Sequence, residues 1–103
     1  MQRFAFKMFL NPGQRDECKR RHDAIWPDLS RLLTDVGIRN YSIFLDEDSN
    51  TLFAYLERTD DHRMADLPND AVMQRWWAFM RDIMRTDGAA PASVPLPEMF
   101  HMD

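Results

Sequence analysis

Cys18 and His22 stand four residues apart, the spacing that brings two side chains onto one face of a helix. An imidazole gains and loses a proton near neutrality, its unperturbed pKa being about 6.5. His22 can therefore act as a general acid or base, or it can be an ordinary solvated residue of a helix surface. A metal centre is the poorer reading, because zinc needs a third and usually a fourth ligand and none follows at suitable local spacing. Trp76 and Trp77 offer flat indole faces that suit the C–H face of a sugar, and N–H groups that can donate to a hydroxyl. Both can equally be core. Adjacent helical residues diverge by about 100°, so the two rings can hardly fill one patch of core, and one of them is expected to line a cavity. Tyr41 can present its hydroxyl to a ligand or cap a sheet edge. His62 reads as a surface residue and His101 as a strand or dimer-contact residue.

These side chains need elements to hold them. Phe4, Phe6, Met8 and Leu10 alternate with Ala5, Lys7 and Phe9, the two-residue period of a strand. Asn11-Pro12-Gly13-Gln14 then reads as a helix start, with Asn11 as N-cap, Pro12 at the first position and Gln14 folding back as in a capping box. Ile25, Leu29, Leu32, Leu33 and Val36 continue at helical spacing up to Gly37, which sits where a C-cap glycine belongs. Pro27 predicts a kink within one helix, or a join between two, close to His22. Ile38 to Leu45 and Thr51 to Glu57 form a hairpin across the solvated acidic turn Asp46 to Asn50. Tyr41 falls on the face of Ile43 and Leu45. A short helix is predicted from Asp60 to Leu67, a longer one from Pro68-Asn69-Asp70 to about Arg85, a surface crossing from Thr86 to Pro97, and a last strand from Glu98 to Met102.

Strand, helix, strand, strand, helix, strand is the split βαβ or ferredoxin-like order, an α+β fold with helices on one face of an antiparallel sheet. Every candidate strand carries large apolar groups on both sides, which predicts a homodimer packed sheet to sheet. The 103 residues leave room for one domain, residues 1–103, with one modest core. Thirteen basic and 17 acidic residues give a net charge of −4, and the basic ones are scattered apart from Lys19, Arg20 and Arg21. That distribution argues against nucleic acid, whose phosphates call for a broad basic surface. No run approaches the roughly 20 apolar residues of a membrane helix. The opening MQRFAFKMFL is too short and too interrupted for a secretory leader. One cysteine makes no internal disulfide, so a cytoplasmic protein is expected.

The strings RRHDAIWPDL (20 to 29), RNYSIFLD (39 to 46) and QRWWAFMRDIM (74 to 84) closely resemble L-rhamnose mutarotases, in register over essentially the whole chain. The resemblance implies a homodimeric ferredoxin-like fold, a dimeric α/β barrel, that interconverts the α and β anomers of L-rhamnose in the cytoplasm with no metal or organic cofactor. Carried over position by position, His22 matches the family's proton donor, and Tyr41, Trp76 and Trp77 match its substrate-contacting positions. Cys18 stands where the family commonly has a tyrosine that contacts the sugar. A thiol is shorter and a weaker donor; a water or a neighbouring side chain could replace the phenol. His22 is then expected to protonate the ring oxygen, while the group that takes the anomeric hydroxyl's proton is not identified. Two other readings stand beside this one. A cofactorless monooxygenase of the dimeric α/β-barrel type would consume oxygen, and a non-catalytic sugar-binding module would leave anomer exchange at its uncatalysed rate.

Overall fold

The alternation at the start of the chain folds as strand β1 (Gln2–Phe9) in the computed structural model, which describes residues 1–103. It pairs antiparallel with β3 (Thr51–Arg58), setting Met8 opposite Leu52, Phe6 opposite Ala54 and Phe4 opposite Leu56. Leu52, Ala54 and Leu56 are buried while Phe53 between them is exposed, so one face of the sheet meets the core. Strand β2 (Ile38–Asp46) completes the hairpin, with Ile43 opposite Ala54 and Leu45 opposite Leu52.

Ile38 and Ile43 share the core face although they are five positions apart, an odd offset that a regular strand would place on opposite faces. The pairing slips between Arg39 and Ser42, and Asn40 adopts the left-handed conformation at φ 50°. One extra residue in β2 makes a bulge that reverses the phase of everything after it. Tyr41 is thereby turned to the core face, as the alternation from Ile43 and Leu45 predicts, and its ring lies 6.5 Å from that of Phe6. The Asn40 amide donates to Glu57 Oε1 at 2.9 Å across the bulge.

Helices α1 (Arg15–Asp23) and α2 (Pro27–Asp35) are separate. Pro27 opens α2 at its first position, where its missing N–H costs nothing. The predicted capping box is absent. Helix α1 begins at Arg15 without a side-chain cap, because Asn11 is engaged elsewhere. Its N–H donates to Ile83 O at 2.8 Å and its amide to Asp82 O at 3.3 Å. Gly37 follows α2 at φ 105°, and a Cβ there would collide with the Thr59 hydroxyl. The predicted helix from Asp60 to Leu67 is a 3₁₀ segment at Met64–Asn69. Helix α3 (Ala71–Met80) starts on Asp70, whose carboxylate accepts the Val72 N–H at 2.8 Å. It stops at Met80 rather than near Arg85, since Leu10 and Met84 form a bridge and Arg85 N donates to Phe9 O. Pairing with the end of β1 buries Ile83 and Met84 there.

Thr86 to Pro97 holds strands rather than a plain crossing. The short pieces β4 (Thr86–Asp87) and β5 (Ala90–Pro91) pair with each other, and β6 (Ser93–Leu96) pairs antiparallel with β1. The last strand is thus Ser93–Leu96, not Glu98 to Met102. Its Pro95 is tolerated because β6 is an edge strand, with only one neighbour to bond. The four-stranded antiparallel sheet has the order β2-β3-β1-β6, and with the helices it makes an α+β fold. No helix is long and apolar enough to cross a membrane. Replacing Asn40 with Gly, which adopts the left-handed region freely, should change stability by less than about 1 kcal/mol, whereas Asn40→Val should cost about 1–3 kcal/mol, as measured by urea unfolding.

Candidate active site

His22 is the penultimate residue of α1, and its Nδ1 lies 2.8 Å from the backbone oxygen of Cys18, one turn back. A carbonyl only accepts, so this contact places a hydrogen on Nδ1 and leaves Nε2 as the nitrogen free to work. Cys18 Sγ is 3.7 Å from the same Nδ1. The thiol is buried, and that burial pushes its pKa up, so it stays neutral. The edge of the His22 ring meets Trp76 at a centroid distance of 5.6 Å and 79°. Trp76 in turn contacts Trp26 at 5.2 Å and 89°, and Phe79 at 5.6 Å. These aromatic groups brace the imidazole from behind.

A cavity of about 1380 Å³ opens between the helices and the core face of the sheet. Cys18 and His22 of α1, Tyr41 of β2 and both Trp76 and Trp77 of α3 line it. All five residues singled out from the sequence therefore meet on one surface. Their access to it differs. Cys18 and Trp76 are each only 6% exposed, whereas Tyr41 is 38% exposed and His22 and Trp77 are half-buried. Crowding by protein atoms around the Tyr41 phenol pushes its pKa up to about 12, so it remains a protonated hydroxyl that can donate. The volume exceeds the roughly 300–1,000 Å³ of ordinary small-molecule sites, and a single pyranose would fill part of it.

Charge is kept at the rim. Asp23 is held by Lys19 at 3.0 Å, and Glu47 by Arg15 at 2.9 Å. Behind α1, Arg21 Nε donates to Glu17 at 2.7 Å, and its two terminal nitrogens donate to Asp82 at 2.8 and 3.1 Å. The guanidinium beside Asp82 holds that carboxyl below its usual range. Hydrogen bonds from Arg20 and then Arg21 bring Glu17 down to about 2.

His62 differs from expectation, and the strand expected to hold His101 does not form. His62 is half-buried rather than a surface residue, its Nδ1 accepting the Met64 N–H at 3.3 Å in the turn beneath Gly37. His101 lies in no strand and pairs with Asp103 at 2.8 Å. Trp26 is the residue that sequence reasoning missed, although an aromatic side chain between His22 and Pro27 was a usable signal.

Fold and cavity together define a small α+β protein with one histidine on the wall of an aromatic-sided cleft. Residues 3–102 match the sequence profile described as L-rhamnose mutarotase. An L-rhamnose mutarotase of Sinorhizobium fredii is 53% identical over 103 residues, covering 99% of each chain. One from Mesorhizobium japonicum is 55% identical over 102 residues, covering 98% of this chain and 97% of its own. A crystal structure of L-rhamnose mutarotase from Formosa agariphila superposes with a TM-score of 0.93 at 46% identity, over 100% of both chains. The chain belongs to the L-rhamnose mutarotase family, and with it to the anomer-interconverting isomerases.

Acid should loosen the cluster behind α1. A carboxyl whose pKa is lowered by folding stabilises the fold above its ordinary value and loses that contribution as pH falls through the folded value. For Glu17 the loss should run from about 4.5 down to about 2. The melting temperature of Glu17→Gln should therefore fall less over that window than that of the parent chain.

Proposed function

We propose that the chain is an L-rhamnose mutarotase in which His22 carries the proton exchanged at the sugar's ring oxygen. The observation that supports this most is the Nδ1 contact to the Cys18 carbonyl at 2.8 Å, which fixes the ring's orientation in both of its charge states. With Nε2 protonated, the imidazolium gives that proton to the ring oxygen as the bond from this oxygen to the anomeric carbon breaks. The anomeric hydroxyl loses its own proton and becomes the aldehyde. Rotation about the bond from the first to the second carbon presents the other face. On closure the former ring oxygen attacks the carbonyl, returns its proton to Nε2, and the carbonyl oxygen regains one. No electrons or groups are left over, and no cofactor is called for.

The second proton passes to bound water in this scheme; of the four carboxylates along the cavity, Asp23 and Glu47 are each engaged by a cation and Asp46 accepts hydrogen bonds within its own turn. The Tyr41 phenol, held protonated, donates to a sugar hydroxyl, and the half-buried Trp77 supplies a flat apolar floor for the pyranose's C–H face. Trp76 braces His22 and closes the base of the cavity. Cys18 is too short and too buried to replace a phenol fully, so a water bridges from its side of the cavity to the sugar.

The reading extends to the assembly. Residues 1–103 act as one domain of ferredoxin-like topology, supported by the strand order β2-β3-β1-β6. Away from the helices the sheet carries Phe44 at 67%, Phe53 at 40% and Val94 at 43% exposure. Val94, Lys7, Phe53 and Phe44 form one cross-strand row there. A second copy packed on that face would remove the row from water, giving a homodimeric α/β barrel. The setting is cytoplasmic, where the Cys18 thiol stays reduced.

His22→Ala should lower the catalysed exchange of L-rhamnose anomers by about 10²- to 10⁴-fold while sugar binding persists, read by NMR saturation transfer and by titration. Unchanged exchange would remove His22 from this role. Phe53→Asp should turn a dimer into a monomer in sedimentation velocity, and a parent chain that already sediments as a monomer would sink the dimer reading.

A further inference from the structure

We infer that Arg21 is a positioning residue for His22, tying the helix that bears the histidine to the end of the helix that bears the tryptophans. The inference rests on the role given to His22 above. Helix α1 packs its backbone closely along no other element, and Cys18 is its only buried residue. Side chains must therefore set where it sits.

Arg21 is the side chain equipped for this. It is adjacent to His22 yet diverges from it by about 100°, and it does not line the cavity. Although charged, its side chain is only 10% exposed. Nη1 donates to the Phe79 carbonyl at 2.7 Å, one of the unpaired carbonyls at the end of α3. The forked end takes both oxygens of Asp82, just beyond α3, and Nε holds Glu17 on α1 itself. The guanidinium carbon lies over the Phe79 ring, 4.6 Å from its centroid, and Phe79 packs on Trp76, the ring against which His22 rests. The cation thus clamps the C-terminal end of α3, where helix carbonyls favour positive charge. One planar group fixes the distance from the imidazole to the aromatic wall. Lysine cannot reproduce it, having neither the fork nor the plane.

The test compares Arg21→Lys, Asp82→Ala and His22→Ala with the parent chain on L-rhamnose. It measures kcat and KM for anomer exchange together with the NMR cross-peak between the His22 and Trp76 rings. Arg21→Lys should lower kcat by roughly ten- to a hundredfold, the scale of a small misplacement of a catalytic group. KM should stay within about twofold, and the cross-peak should weaken. Asp82→Ala should act in the same direction by less, because the Phe79 carbonyl still holds the guanidinium, and it serves where Arg21→Lys fails to fold. A folded Arg21→Lys with parental kcat and an intact cross-peak overturns the inference, as does a rise in KM with kcat unchanged. Full exchange in His22→Ala would instead defeat the reading on which the inference rests, whereas lost exchange in His22→Ala beside a parental Arg21→Lys defeats the inference alone.

Discussion

Three helices of nine, nine and ten residues must keep water from one face of a sheet whose longer strands run eight or nine residues. At about 1.5 Å per helical residue and about 3.3 Å per strand residue, each helix spans only about half of a strand's length. Met8, Leu52, Ala54 and Leu56 are buried, yet Met8, Leu52 and Leu56 still line the cavity. The uncovered remainder is the cavity. The site is what short helices leave open over an apolar sheet, and that is why its walls are aromatic and aliphatic with polar groups only at a few points.

The same shortage explains how α1 is held. A helix with one buried apolar residue gains little from the hydrophobic effect, which scales with area removed from water. Ordinary exposed ion pairs contribute little as well, and the Lys19–Asp23 pair is one of these. Arg21 differs in being shielded, bidentate and stacked on a ring, conditions under which charge-assisted bonds gain strength and direction. The helix that carries His22 is thus attached by polar contacts of defined geometry instead of by apolar packing.

Anomer exchange already proceeds in water and needs neither an oxidant nor a nucleophile. On the reading proposed for His22, one positioned acid of the usual power, with water taking the second proton, is enough for a chain of 103 residues. The orientation of the imidazole's Nδ1 is set by main chain. The Cys18 carbonyl chooses the tautomer, and a backbone oxygen is indifferent to the side chain at that position. Cys18 therefore leaves the placement of the histidine to its own main chain.

Local signals in the sequence determined much of this protein. Alternation fixed the faces of β1 and β3, Pro27 marked the start of α2, Gly37 its end, and Asp46 to Asn50 the hairpin turn, because each depends on the backbone preferences of a few neighbouring residues. The motif strings likewise singled out His22, Tyr41, Trp76 and Trp77, and the four-residue spacing from His22 singled out Cys18. Tertiary structure alone decided what depends on distant partners. Asn11 leaves its expected cap to bind the Asp82 and Ile83 carbonyls, and α3 ends early because Met84 finds Leu10. The final strand lies at Ser93–Leu96 because β1 offers an open edge there. Arg21 looked like one member of a basic cluster until the fold brought Phe79 and Asp82 to it across roughly 60 residues of chain. Spacing along a sequence reports neighbours on one element, whereas a clamp between two elements exists only once both have been packed.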